Sequence, residues 1–160
     1  MPHESQTVLS ECDVREISAF TEIHPGMFLT GPIPRESSED CVGHFFSDEV
    51  CTMPNFIPEE QALLLASGVL ITGCCHAGII NTVEACRKAR PDIAIRTIIG
   101  GLHLRHASEE RLERTAAYLT SLDLDRLVPM HCTGENAAEY LHSRLTCEVV
   151  TLSVGQSLTL

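Results

Sequence analysis

The sequence predicts a layered α/β domain, and three observations predict it. From Ala62 onward, short apolar runs alternate with longer segments whose apolar residues recur every three or four positions, in the order β-β-α-β-α-β-α-β-β. The chain is 44% hydrophobic but only 4% aromatic and lacks tryptophan, so the core those elements share is aliphatic. Finally, His76, His103 and His131 each stand just past an apolar run and just ahead of a helix-like segment. Open α/β sheets bind their ligands at that carboxyl edge, and three imidazoles delivered there can meet around a metal ion.

The 160 residues suit one domain. The formal charge of −11 argues against a nucleic-acid backbone or an anionic membrane as partner. That charge is uneven. Residues 1–60 hold 12 acidic and 2 basic residues, a net of −10, and all five phenylalanines; residues 61–160 hold 10 and 9, a net of −1. An acidic, proline-broken leader therefore precedes a balanced α/β body. No apolar run approaches the ~18 residues of a membrane span. Met1-Pro-His-Glu-Ser5 lacks the basic and apolar regions of a signal peptide, which points to the cytoplasm. Eight cysteines in that compartment read as free thiols or metal ligands rather than disulfides, and for Cys86 and Cys147, inside periodic segments, as plain burial.

Taken in order, residues 1–23 read as a polar tail or one short helix. His24-Pro-Gly is a turn, and Met27–Gly31 is strand-like until Pro32 and Pro34 end it. Residues 35–60 read as an irregular excursion with a possible strand near Phe45 and Phe46. Ala62–Ala66 and Val69–Thr72, split by Ser67-Gly68, predict a β-hairpin. Ala77–Arg90 predicts a helix burying Ile79, Ile80, Val83 and Cys86, with Arg87, Lys88 and Arg90 placed to suit its dipole and Pro91 to stop it. Ile93–Ile99 is a strand. Ser108 N-caps a helix whose first turn carries Glu109 and Glu110 and whose stripe is Leu112, Ala116, Leu119 and Leu122. Leu127–Met130 is a strand and Glu135–Leu145 a helix with Ala138, Leu141 and Leu145 on one face. Residues 148–152 and 157–160 predict a terminal hairpin around Val154-Gly155.

Three loops carry the candidate chemistry. In Gly73-Cys-Cys-His76-Ala-Gly78 small residues permit a sharp turn, and the helix N-terminus beside His76 favours an anion such as phosphate. Gly100-Gly-Leu-His103-Leu104 has the same form, with His106 three residues on reading as surface. In Pro129-Met-His131-Cys-Thr-Gly134 the proline marks an edge or a strand end, and Thr133 can cap the next helix or bind a ligand oxygen. Imidazole suits zinc, iron and manganese alike. Cys74, Cys75 and Cys132 adjoin these histidines, so a mixed Cys/His zinc site is a second reading. Walker-type loops, Gly-x-Ser-x-Gly and His-Glu-x-x-His do not occur.

Together, Thr72-Gly-Cys-Cys-His-Ala-Gly-Ile-Ile-Asn81, Gly100-Gly-Leu-His-Leu104 and Pro129-Met-His-Cys-Thr-Gly134 resemble the metallo-β-lactamase superfamily, in its dihydropterin-ribofuranosylaminobenzene-phosphate synthase-like, metal-dependent hydrolase branch. Thr30-Gly-Pro-Ile-Pro-Arg35 is similar to that branch's stretch ahead of its variable middle. The resemblance runs from about His24 to Leu160. It implies a four-layer αββα sandwich, represented here mainly by its C-terminal half, with residues 24–160 as that portion of the domain. It implies His76 and His131 as metal ligands and His103 as a residue assisting catalysis. It implies a divalent metal, zinc first and iron or manganese otherwise. Three departures stand out. The family's His-x-His-x-Asp-His is missing, since His3, His24 and His44 are isolated; Phe56-Ile-Pro-Glu-Glu60 replaces an Asp pair ahead of the strand; and Cys75 replaces a small Ser or Ala.

A catalytic zinc takes three protein ligands plus a water, so this chain alone offers an incomplete set. Half of a sandwich also leaves one apolar sheet face uncovered, which calls for a homodimer or a complementary N-terminal-half polypeptide. The resemblance thus implies a metal-dependent hydrolase, or a related synthase acting on a phosphate-bearing substrate, incomplete by itself. The competing expectations are a non-catalytic dimerising or partner-binding half-domain and a small Cys/His metal-binding protein.

Overall fold

The computed structural model describes residues 12–39 and 45–159. Their strands are β1 (Thr21–His24), β2 (Met27–Leu29), β3 (Ala62–Leu65), β4 (Val69–Thr72), β5 (Thr97–Gly100), β6 (Arg126–Pro129) and β7 (Glu148–Val149); the helices are α1 (Ile79–Ala89), α2 (Glu109–Thr120) and α3 (Glu135–Arg144), with a 3-10 turn at His131–Thr133. The strands form one sheet in chain order. β1 to β4 run antiparallel, and β4 to β7 are parallel, each parallel step crossing through one helix. Right-handed crossovers that always step the same way put all three helices on one face.

That face holds the core. Phe28, Leu64, Leu70, Ile98 and Leu127 are cross-strand neighbours in one register row, all buried, and Val149 extends it. The helices add Ile79, Val83, Cys86, Ala116, Leu119, Ala137 and Leu141. One residue along each strand is a second apolar row, Leu29, Leu63, Ile71, Ile99 and Val128. Side chains alternate faces along a strand, so this row lies opposite the helices. It is absent from the main core cluster, and all of it except Val128 is only half-buried.

The predicted hairpin at 62–72 forms, turning through Ser67-Gly68. Ser108 caps α2 by accepting from the Arg111 N–H at 3.3 Å. Pro129 ends an interior strand, paired with Gly100, rather than lying on an edge. Four expectations are corrected. Thr21–His24, read as part of a polar tail or helix, is an edge strand held on β2; residues 1–11 of that segment lie outside the described residues. The strand predicted over 93–99 is confined to Thr97–Gly100. After β7 the chain makes a turn at 153–156 without a second hairpin strand among the described residues. In α3, Ala137 rather than Ala138 is buried beside Leu141. The excursion's Phe46 forms an isolated bridge with Pro54. No helix of the described residues is long and apolar enough to cross a membrane.

Candidate metal centre

β4, β5 and β6 end side by side, and the loops that leave them carry the three histidines. The strands pack closely there because glycine permits it. A Cβ on Gly100 would stand 2.2 Å from the Thr72 carbonyl oxygen, and one on Gly101 2.5 Å from that of Gly73 and 2.7 Å from Cys132 Sγ. Each loop also holds one non-glycine residue in the left-handed region, Cys75 (φ 65°), His103 (φ 48°) and His131 (φ 51°). Such conformations cost of order 1–3 kcal/mol and persist where the surroundings enforce them, characteristically at functional sites.

The first loop is enforced by the excursion. Glu60 Oε1 accepts the His76 backbone N–H at 2.7 Å and lies 3.0 Å from His76 Nδ1, while Oε2 accepts the Ala77 N–H at 2.6 Å. Glu39 Oε2 accepts the next free donors of α1, from Ile80 at 2.9 Å and Asn81 at 3.4 Å. Burial pushes the Glu39 carboxyl up from its usual range, against the pull of those two amides and of Arg111 and Arg114. The helix N-terminus expected to receive an external anion is therefore met by two of the chain's own carboxylates. Arg35 donates to the His76 carbonyl at 2.6 Å and to the Phe56 carbonyl at 2.5 Å, tying the excursion to the loop.

His103 comes from the second loop and meets His76 directly. Their rings are 4.5 Å apart at 60°, and Phe45 stands edge-on to His76 at 5.2 Å. Arg111 donates to the His103 carbonyl at 3.0 Å. His103 Nδ1 is buried with no hydrogen-bond partner among the described residues. Burial, followed by the charges of His76 and Arg111, lowers the His103 pKa from its usual value.

His131, in the third loop, is exposed and grouped with two thiols: the ligand atoms of Cys74, His131 and Cys132 all lie within 4.8 Å of one another. Cys132 Sγ donates to the Cys74 carbonyl at 3.2 Å, and burial pushes its thiol up to about 11. Cys75 points elsewhere; it is buried in the core with its sulfur 3.4 Å from Thr82 Oγ1. Thr133 does not cap α3; its buried hydroxyl accepts the Leu102 N–H at 3.1 Å. His106 is exposed, as expected. A cavity of about 660 Å³ opens beside His131, lined by Arg105, Met130, Glu135, His142 and others.

The edge therefore holds two adjoining donor sets, one of nitrogen and oxygen (His76, His103, Glu60) and one of sulfur and nitrogen (Cys74, Cys132, His131). These are metal-ligand chemistries, and the unpaired buried His103 Nδ1 fits a role in holding a cation. Sequence reasoning missed Glu60, Glu39 and Phe45. The signal for Glu60 was the acidic pair ahead of β3, visible as a departure but without a position in space.

Comparison with known proteins gives the same direction. No family model matches the chain. An uncharacterised protein of Methanocaldococcus jannaschii is 34% identical over 137 residues, 81% of this chain and 49% of that protein. The 7,8-dihydropterin-6-methyl-4-(beta-D-ribofuranosyl)-aminobenzene-5'-phosphate synthase of the same organism is 26% identical over 121 residues, 71% of this chain and 41% of the enzyme. The crystal structure of a metal-dependent hydrolase of the β-lactamase superfamily superposes with a TM-score of 0.83 at 28% identity, over 92% of this chain and 58% of that one. The chain thus spans about half the length of the curated relatives it matches.

Proposed function

We propose that the chain, which is similar to a metal-dependent hydrolase of the β-lactamase superfamily and to the dihydropterin-linked synthase, is a part of that superfamily and supplies one half of a divalent-metal hydrolase site. His76 and His131 act as ligands, and His103 stands over the reacting group. The observation that carries this reading is the His76–His103–Glu60 cluster at the carboxyl edge of the parallel strands, with His131 on the next loop. A bound cation would supply Lewis acidity and a more acidic water near neutral pH. The chain's own residues do the rest. Glu60 accepts from His76 Nδ1, which leaves Nε2 as the nitrogen with a lone pair for a ligand. Arg35 and Arg111 hold the carbonyls of His76 and His103, and Phe45 keeps solvent from one side of the pair. Zinc is the favoured metal, with iron or manganese as alternatives, and a small phosphate-bearing molecule is the substrate class.

The ligands that residues 1–160 do not carry come from the complementary half of the fold. The half-buried row Leu29, Leu63, Ile71 and Ile99 supports docking of a complementary half carrying the absent histidine motif, or of a second copy of this chain. Native mass spectrometry with added zinc reads subunit number and bound metal together. A complex that binds zinc and cleaves an activated phosphodiester, with both lost in His76→Ala, is the expected result. A stable complex that binds no metal refutes the proposal.

A further inference from the structure

We infer that Cys74, His131 and Cys132 form a thiolate-bearing metal site, so that the cation this chain selects at its third loop is a thiophilic one such as zinc rather than magnesium, calcium or manganese. The inference goes deeper into the site proposed above and rests on that reading only for His131 as a ligand.

The geometry is nearly a coordination shell already. The three ligand atoms lie within 4.8 Å of one another. A tetrahedral zinc with metal–sulfur bonds of about 2.3 Å has sulfur–sulfur edges of about 3.8 Å, so rotamer-scale adjustments of about 1 Å close the set. The backbone holds the two thiols together from different strands. Cys74 follows β4 and Cys132 follows β6, and Gly101 lies against both, since a Cβ there would fall 2.7 Å from Cys132 Sγ and 3.1 Å from Cys74 Cα. His131, at φ 51°, is fixed from the other side, since Arg105 donates to its carbonyl at 3.3 Å and Arg105 N–H donates to that of Cys132 at 3.2 Å. Cys74 and Cys132 are half-buried and His131 is exposed, so an ion reaches the set from solvent and keeps a fourth position open. Two sulfurs and an imidazole match zinc, while the harder cations prefer oxygen. On binding, each thiol loses one proton to solvent and no electron is transferred.

Cobalt(II) is the probe, added to the reduced full chain. We expect a near-ultraviolet thiolate-to-cobalt charge-transfer band, weakened in Cys74→Ser and in Cys132→Ser, lost when both are changed, and retained in the His76→Ala, His103→Ala double variant. Alkylation of the unaltered chain gives a readout that needs no variant to fold. Zinc should protect Cys74 and Cys132 while exposed Cys51 reacts equally with and without metal. Cobalt ligand-field bands without the charge-transfer band, together with unprotected Cys74 and Cys132, overturn the inference and leave the nitrogen–oxygen site standing. A protected, thiolate-bound metal in an assembly that hydrolyses nothing leaves the inference standing and removes the hydrolase proposal.

Discussion

Glu60→Gln isolates what one carboxylate does for fold and site. Glu60 is nearly buried, its side chain 9% exposed, and it accepts from two backbone N–H groups at 2.7 and 2.6 Å besides facing His76 Nδ1 at 3.0 Å. The amide keeps the shape but retains one acceptor oxygen and turns an NH2 group toward one of those donors. A hydrogen bond to a charged group is worth about 1.5–3 kcal/mol and a neutral one about 1, while a stranded buried N–H costs about 1–3. A loss of about 2–4 kcal/mol follows, which for a domain of this length lowers Tm by roughly 5–15 °C. The same change removes the carboxylate that sets the His76 tautomer, and such losses weaken metal binding by about 10–100-fold. Thermal denaturation and zinc titration by calorimetry read the two effects. Exposed Glu59 is the control beside it, and Glu59→Gln should stay within about 0.5 kcal/mol. Equal small effects from the two substitutions would sink the claim that Glu60 builds the first loop.

Three further outcomes are expected. His103 has a folded-state pKa below its usual 6.5, so the unfolded chain binds more protons; stability is full above that value and falls as pH drops from there toward the folded pKa. His103→Gln should flatten the slope of urea midpoints across that window, and an unchanged slope would assign the dependence elsewhere. Gly100→Ala, whose Cβ would meet the Thr72 carbonyl oxygen at 2.2 Å with φ at +133°, should cost at least about 2 kcal/mol in urea unfolding, while Gly73→Ala, with nothing within 4 Å, should be tolerated. Zinc at about 100 times its dissociation constant should stabilise the metal-binding form by about 2.7 kcal/mol, and a chelator should reverse the rise in Tm.

Most of the parallel half of the fold was legible because its elements carry their own period. The α1 stripe of Ile79, Val83 and Cys86 and the apolar run of β4 each identify themselves within ten residues. β1 had no such signature. Its residues are Thr-Glu-Ile-His, mostly exposed, and it is a strand because β2 offers an edge and Glu22 accepts from the Gly26 N–H at 2.8 Å in the intervening turn. The predicted last strand failed for the opposite reason, since a β-like composition after Gly155 finds no pairing among the described residues. The histidines were legible as a set through their shared position after successive strands. Which neighbours each would take was not, because those contacts are long-range: Glu60 to His76 across 16 residues and Cys132 to Cys74 across 58.

The charge asymmetry acquires a partial physical account from the same contacts. By charge alone, a leader of net −10 belongs in solvent. Two of its carboxylates instead cover the free donors at the positive end of α1, where anionic groups are favoured. A third, Glu36, pairs with Lys88 near that helix's other end, and Arg35, one of the leader's two cations, clamps the His76 carbonyl. The excursion is thus the scaffold of the first histidine. Gly78 gives α1 no side-chain cap, so the helix that follows His76 depends on acids supplied from 17 and 41 residues away. Arg35, Glu39 and Glu60 thus hold the first loop and its histidine from outside the parallel strands, while the thiols on the loops after β4 and β6 are held to each other by the Cys132 Sγ–Cys74 carbonyl contact and adjoin the first donor set through a backbone hydrogen bond from His103 to Cys132.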